Sequence, residues 1–262
     1  MKKLFSCLLV AVMAVGLFAG CGKKADNAFT VGFDAEFPPY GYRNESGEYV
    51  GFDLDLAAEV CARNGWELVK QPIDWDAKDM ELSSGAIDCI WNGFTINGRE
   101  DQYTWSQPYV DNSQVVVVAS DSGIKSKADL AGKVVAVQKD SSALAALNDE
   151  ENKENIALRD SFKELIEYAD YNTAFMDLEQ GAVEAVAIDI GVAQYQIEKR
   201  EAGAFVMLEE NLATEQYGVG FKLGNEELRD KVQKTLDEMV KDGTFMKIAE
   251  EWELTDSVCL GK

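Results

Sequence analysis

Short apolar runs of β type alternate with stretches of helical periodicity along most of the chain, and this alternation limits the fold more than any other feature of the sequence. The first series opens with a strand over 29–33. Asp53 then reads as an N-cap, with Leu54, Leu56, Ala57, Val60 and Cys61 placed to line one helical face as far as Gly65. A strand over 67–71, a helix over 75–84 stopped by Gly85, a strand over 87–92 and a four-valine run in 115–119 follow. The second series gives a strand over 134–137, a helix over 141–148 opened by two serines, and a strand over 162–167, whose composition also permits helix. It continues with a helix over 172–179 ended by Gly181, a strand over 185–188 and a helix over 190–200. Short strands at 206–208 and 217–221 and helices at 226–241 and 245–252, separated by Gly243, close the chain. Strands followed by helices build βαβ units and mainly parallel sheets. At 262 residues the chain exceeds one small core, so two series imply two lobes.

Composition narrows the function. With 47% hydrophobic residues the chain can fill a packed core. Its 47 acidic residues against 25 Lys and Arg give a formal charge of -22, which repels phosphate backbones and argues against nucleic acid as a partner. The absence of histidine removes Ser-His-Asp and Cys-His catalysis and every His-ligated metal site. Cys89, inside an apolar strand, reads as a small buried hydrophobe. Cys61 and Cys259 are left as a candidate pair in an oxidising compartment, and without a CxxC motif a metal site has little support. No period of roughly 20–50 residues repeats, which argues against a solenoid.

The N-terminus is an address. A basic Met1-Lys2-Lys3 precedes 16 almost wholly apolar residues, 4–19, fewer than the ~20 a spanning helix needs. With the small residues Ala19 and Gly20 this reads as a secretory signal over 1–20. The segment Leu17-Phe18-Ala19-Gly20-Cys21 resembles the lipobox of bacterial lipoproteins, which implies cleavage before Cys21 and diacylation of its thiol. Residues 21–28 would then be the lipid anchor and linker. Two acyl chains hold a protein to a membrane where one does so marginally. The expected location is the extracytoplasmic face of the cell membrane.

Several runs then identify a family. VGFDAEFPPYGY, YVGFDLDLAAEV, GAIDCIWNGFTINGRE and TWSQPY stand in order, followed by LAGKVVAVQKDSSA, AVEAVAIDIGVAQY, EQYGVGFKLGNEELRDKV and DGTFMKIAEEW. Together they resemble the amino-acid-binding proteins of bacterial ABC importers, solute-binding protein family 3, over residues 29–254. The resemblance implies a two-lobed α/β fold of the periplasmic-binding-protein type II, with two crossover hinge strands near 109–113 and 213–217 and the ligand in the cleft. Lobe 1 would comprise 29–110 plus 216–262, and lobe 2 would comprise 111–215. The implied partners are an amino acid, the subunits of an ABC permease and, through the lipid, the membrane. The implied state is a monomer with no cofactor, and no reaction is needed.

A free amino acid brings a carboxylate and an ammonium, and burying either unpaired costs several kcal/mol. The resemblance assigns the carboxylate to Arg99, whose guanidinium fork matches two oxygens. The polar surroundings of Arg99 alone read as a surface loop, one residue shorter from Thr95 than in many relatives. Ser141 and Ser142 open a helix, where one can cap and the other bind. Asp189, at the end of an apolar strand, would take the ammonium or cap the next helix, with Gly93 giving a backbone carbonyl and Thr95 a hydroxyl. Phe37 and Trp75 would clamp the ligand's side chain, or else pack in the core. Asp34 and Asn92 would face its end, with Glu36 nearby. A carboxylate there favours arginine, lysine, ornithine, histidine or glutamine and disfavours glutamate and aspartate. Two other functions compete: an enzyme resembling cyclohexadienyl dehydratases, for which Glu36 is the one obvious acid, and a ligand sensor. Replacing the anchor thiol, Cys21→Ser, should release the protein from the detergent-partitioned membrane fraction; retention equal to that of the wild type would exclude lipidation at Cys21.

Overall fold

The computed structural model describes residues 27–262. The signal segment, Cys21 and the linker through residue 26 lie outside the described residues. The first part of the chain forms β1 (Ala28–Phe33), β2 (Glu36–Phe37), β3 (Gly41–Arg43), β4 (Tyr49–Val50), α1 (Phe52–Asn64) and β5 (Glu67–Pro72). A single 3-10 turn, Trp75–Ala77, then runs into α2 (Lys78–Ser84), followed by β6 (Cys89–Ile90) and β7 (Tyr103–Trp105). The middle part holds β8 (Val110–Ala119), β9 (Val134–Gln138), α3 (Ser142–Asn148), α4 (Lys153–Ser161) and β10 (Glu164–Tyr168). It goes on through α5 (Tyr171–Glu179), β11 (Ala185–Asp189), α6 (Ile190–Glu198), β12 (Phe205–Met207) and β13 (Ala213–Tyr217). The chain then returns with β14 (Gly220–Lys222), α7 (Glu226–Asp242) and α8 (Thr244–Glu251).

Two sheets result. The first has the order β5-β1-β6-β14-β7, with β1 parallel to β5 and β6 and β14 antiparallel to both neighbours. The second has the order β10-β9-β11-β8-β12, with β9 parallel to β10 and β11. The valines of β8 are buried on both faces: Val116 and Val118 pack in one apolar cluster, Val115 and Val117 in another. A strand covered on both sides needs such a continuous apolar run. The passage between sheets is made by the first half of β8 and by β13, paired antiparallel from Val110 opposite Tyr217 to Gln114 opposite Ala213.

The differences from the sequence expectation have physical reasons. The expected strand over 217–221 is two strands, because the chain leaves β8 at Tyr217 and joins β6 at Gly220. The expected strand over 87–92 pairs only at Cys89–Ile90, after which the backbone turns away from the sheet. The helix α4 is absent from the sequence reading. Asn155 is its one fully buried residue, so it shows almost no apolar stripe. Cys61 and Cys259 are not joined to each other. Asp53 is no N-cap: it lies inside α1, whose N-cap Gly51 makes no side-chain cap bond.

Gly51 sets the entry into α1. Its φ is 146°, and a Cβ there would lie 2.2 Å from the carbonyl oxygen of Tyr40. That carbonyl accepts the Asp53 amide at 3.1 Å, and the Pro39 carbonyl accepts the Phe52 amide at 2.9 Å. The close approach therefore fixes the 37–41 segment on the helix. Gly51→Ala should cost about 1–3 kcal/mol through backbone strain alone, and more through the clash; chemical denaturation with an unchanged midpoint would refute this.

Candidate functional site

The loops at the ends of the central strands meet between the two sheets. Asp34 follows β1 and is buried. Its amide donates to Asn92 Oδ1 at 3.0 Å, and its carboxylate accepts from the Glu36 amide at 2.8 Å and from Gln138 Nε2 at 2.7 Å. Since Gln138 ends β9, this last bond joins the two sheets. Burial pushes the Asp34 carboxyl up to about 6, against the pull of the two hydrogen bonds. Phe37 is 6% exposed and lies 5.8 Å from the Tyr40 ring and 6.2 Å from the Tyr171 ring. Trp75 is less deeply placed: it meets the edge of Phe94 at 5.5 Å and carries Lys78 Nζ over its ring.

Arg99 reaches from the loop after β6 to α3. Its Nη1 donates to the Thr95 carbonyl at 3.3 Å and to Ser142 Oγ at 3.1 Å, in the first turn of α3. The Phe94 ring supports the guanidinium at 5.3 Å. The two serines divide their tasks: Ser141 Oγ caps α3 by accepting from the Leu144 amide at 3.2 Å, and Ser142 meets the arginine. Asp189 makes no side-chain cap bond to α6. Its Oδ1 accepts instead from Asn112 Nδ2 at 2.9 Å, Gln114 Nε2 at 2.6 Å and the Tyr217 hydroxyl. Its carboxyl is raised above the ordinary range by burial first and the charge of Glu215 second. Thr95 Oγ1 donates to Glu215 Oε1 at 3.0 Å.

Gly93 must be glycine. Its φ is 55°, and a Cβ would stand 2.8 Å from Phe37 Cε1 and 3.1 Å from Tyr217 Cε2. Its amide donates to Asp53 Oδ2 at 2.6 Å, and the Tyr109 hydroxyl donates to the same oxygen at 2.8 Å. Asp53 thus ties α1 to the site loop and to the residue that precedes β8. Beside Asp34 and Trp75 lies a cavity of about 650 Å³ whose walls carry Asp74, Asp76, Glu167 and Asp170 against Lys139. Glu36, exposed at its edge, accepts a hydrogen bond from Asn172 of α5. Lys78 pairs with Asp140, and Lys139 with Asp76, between the same two sides.

The model of the bacterial extracellular solute-binding proteins, family 3, matches residues 29–255. The chain belongs to that family. As a family 3 solute-binding protein it shares the two-lobed fold of its structural neighbours. A substrate-binding protein of a Streptococcus pneumoniae ABC uptake transporter, with bound histidine, superposes with a TM-score of 0.81 at 34% identity, covering 86% of this chain and 92% of that one. An ancestral arginine-binding protein bound to glutamine gives a TM-score of 0.77 at 35% identity, covering 88% and 100%. In sequence, the L-cystine-binding protein TcyJ of Escherichia coli (strain K12) is 30% identical over 93% of this chain and 94% of that protein. These relatives are named as binding proteins, not as enzymes. Among the described residues no helix is long and apolar enough to cross a membrane.

The sequence reading of this solute-binding protein missed Asp53, Asn112, Gln114, Gln138, Glu215 and Tyr217. A signal existed for two of them: Asn112 and Gln114, at i and i+2 of a strand, share a face. Asp53 supplies a testable consequence. Burial pushes its carboxyl up to about 7, while the bonds from Gly93 and Tyr109 pull it down. The folded state then keeps a proton that the unfolded chain loses near pH ~4, so the Asp53 contribution to stability falls as pH rises from about 4 to about 7. Asp53→Asn keeps an oxygen for both donors and removes the charge. Denaturation midpoints of the variant should decline less steeply than those of the wild type over that window; parallel curves would refute the assignment.

Proposed function

We propose that the protein captures a polar amino acid between its lobes and delivers it to an ABC permease from the extracytoplasmic face of the membrane, held there by lipid on Cys21. In this reading residues 29–110 and 216–262 form one lobe and residues 111–215 the other. One arrangement supports the proposal: a guanidinium, Arg99, that bonds the Thr95 carbonyl and Ser142, and a buried carboxylate without an ion-pair partner among the described residues, Asp189, linked through Asn112, Gln114 and Glu215 to Thr95. Arg99 and Ser142 take the α-carboxylate and Asp189, Thr95 and the Gly93 carbonyl take the ammonium. Phe37 and Trp75 flank the side chain, and Asp34, beside Asn92, meets its end.

The acidic wall next to Asp34 supports a ligand that carries donors there. Histidine, arginine and glutamine all carry side-chain nitrogens that can donate there, and cystine offers a second ammonium. The pneumococcal neighbour holds the first, and the ancestral arginine-binding protein holds glutamine. A basic amino acid fits best, because Asp34 brings a charge and glutamine needs only an acceptor.

A thermal-shift screen of the twenty amino acids with ornithine and cystine identifies the ligand, since ligand at 100 times its Kd adds about 2.7 kcal/mol to stability. Arg99→Ala should then weaken every ligand by about 2–5 kcal/mol in calorimetry. Full affinity in that variant would move the α-carboxylate elsewhere. Asp34→Asn should weaken arginine strongly and glutamine little; comparable losses for the two would refute the side-chain role of Asp34.

A further inference from the structure

At the hinge, acceptors outnumber donors. Glu215, on β13, is buried, and its Oε1 accepts from Asn112 Nδ2 at 2.7 Å and Gln114 Nε2 at 2.7 Å, besides Thr95. These are the same two amides that donate to Asp189 Oδ1. The remaining amide oxygens, Asn112 Oδ1 and Gln114 Oε1, are buried with no donor. Two buried carboxylates that share both amide donors stand close together, and among the described residues no ion pair includes either.

The groups that face the pair supply no compensating charge. Tyr217 of β13, Tyr40 of the loop after β2 and Tyr171 of α5 are buried phenols held neutral, their ionisation opposed by burial. Arg99 binds the Thr95 carbonyl and Ser142. The charge that acts on Asp189 is that of Glu215, and no cation is among the groups that bond either carboxylate. On its other side Glu215 lines, with Asn112, Asp111 and Asp256, a hollow of about 570 Å³ at the hinge strands. Like charges in such a place do not both ionise.

We propose that Asp189 and Glu215 share one proton in the ligand-free protein, and that the ammonium of a bound amino acid displaces it, so that capture is an exchange of a proton for an ammonium and Glu215 is a second carboxylate of the ammonium site. This rests on the amino-acid reading of the cleft. In the exchange one carboxylic O–H bond breaks and its proton passes to solvent through the hollow that Glu215 reaches. The ammonium keeps its three hydrogens, and the pair gains one negative charge as one positive charge arrives. The released proton makes affinity rise with pH, by at most about tenfold per unit, while the pair is protonated and the ligand is an ammonium.

Calorimetry of the whole soluble protein with glutamine and with arginine, at about pH 6.5 in phosphate and in Tris, reads the proton count. Between about half and one proton should leave per ligand, for glutamine as for arginine, because the exchange belongs to the α-ammonium. Glu215→Gln should reduce that release and make the pH dependence of Kd shallower, while burial still holds Asp189 above the ordinary range; a release unchanged in this variant would overturn the role of Glu215. Heats in the wild type that do not depend on the buffer would overturn the proposal. Carboxyl 13C NMR of the ligand-free protein reads the pair without any ligand: Asp189 and Glu215 both ionised below about pH 5 would also overturn it. A shared proton in a protein that binds neither amino acid would uphold the pair and refute the transport reading instead.

Discussion

A carboxylate withdrawn from water has to be held by donors or by a cation, and the cleft of this protein is organised around carboxylates held by donors alone. Asp34, Asp53, Asp189 and Glu215 are all buried, and dipoles rather than lysine or arginine satisfy them. Each stands where separate segments meet. Asp34 joins the end of β1 to the end of β9. Asp53 joins α1 to the Gly93 loop and to Tyr109. Asp189 and Glu215 hold β8, β11 and β13 together through Asn112 and Gln114. Loss of one such partner leaves a buried charge uncompensated, so these contacts specify the relative placement of the segments more sharply than apolar packing does.

The same groups make the cleft a selective field. Desolvation raises Asp34, Asp53 and Asp189 alike, which means that the fold bears an electrostatic cost in its ligand-free form. A cation entering the cleft relieves part of it. In the proposed reading, the residues whose burial disfavours folding are those that would favour an ammonium or guanidinium. The acidic cavity wall acts in the same direction at longer range.

Much of this was legible in the sequence, but unevenly. Burial dictates apolar periodicity, so the strands at Ala28–Phe33 and Ala185–Asp189 and the helices α1 and α7 could be read from the residues that fill them. Helix α4 could not, since it is nearly all surface. The reach of Arg99 came only from the resemblance, because a polar loop looks the same whether its arginine points to solvent or to Ser142. Asp53 was misplaced for a related reason: sequence shows a residue at a helix start, not the Gly93 amide that folds back onto it. Glu215 lies among polar neighbours in a strand where only Tyr217 and Glu215 itself turn inward, and its partners are about one hundred residues away.

The contacts that join the two sides of the cleft differ in size. Contacts at the cleft rim, such as Lys139 with Asp76 and Glu36 with Asn172, involve exposed groups, and exposed pairs contribute about 0–1 kcal/mol. Lys78 is 2% exposed, but its partner Asp140 is 50% exposed and hydrated, so that pair too is a weak latch. The inner contacts, Asp34 with Gln138 and Arg99 with Ser142, are single hydrogen bonds of charged groups, each about 1.5–3 kcal/mol before the desolvation already borne. A rim this weak would hold a closed arrangement over an open one by no more than a few kcal/mol. An amino acid bound as proposed, spanning Arg99 and Asp189, would add contacts available only when the lobes meet, and that difference, not its total binding energy, would decide how far the population shifts.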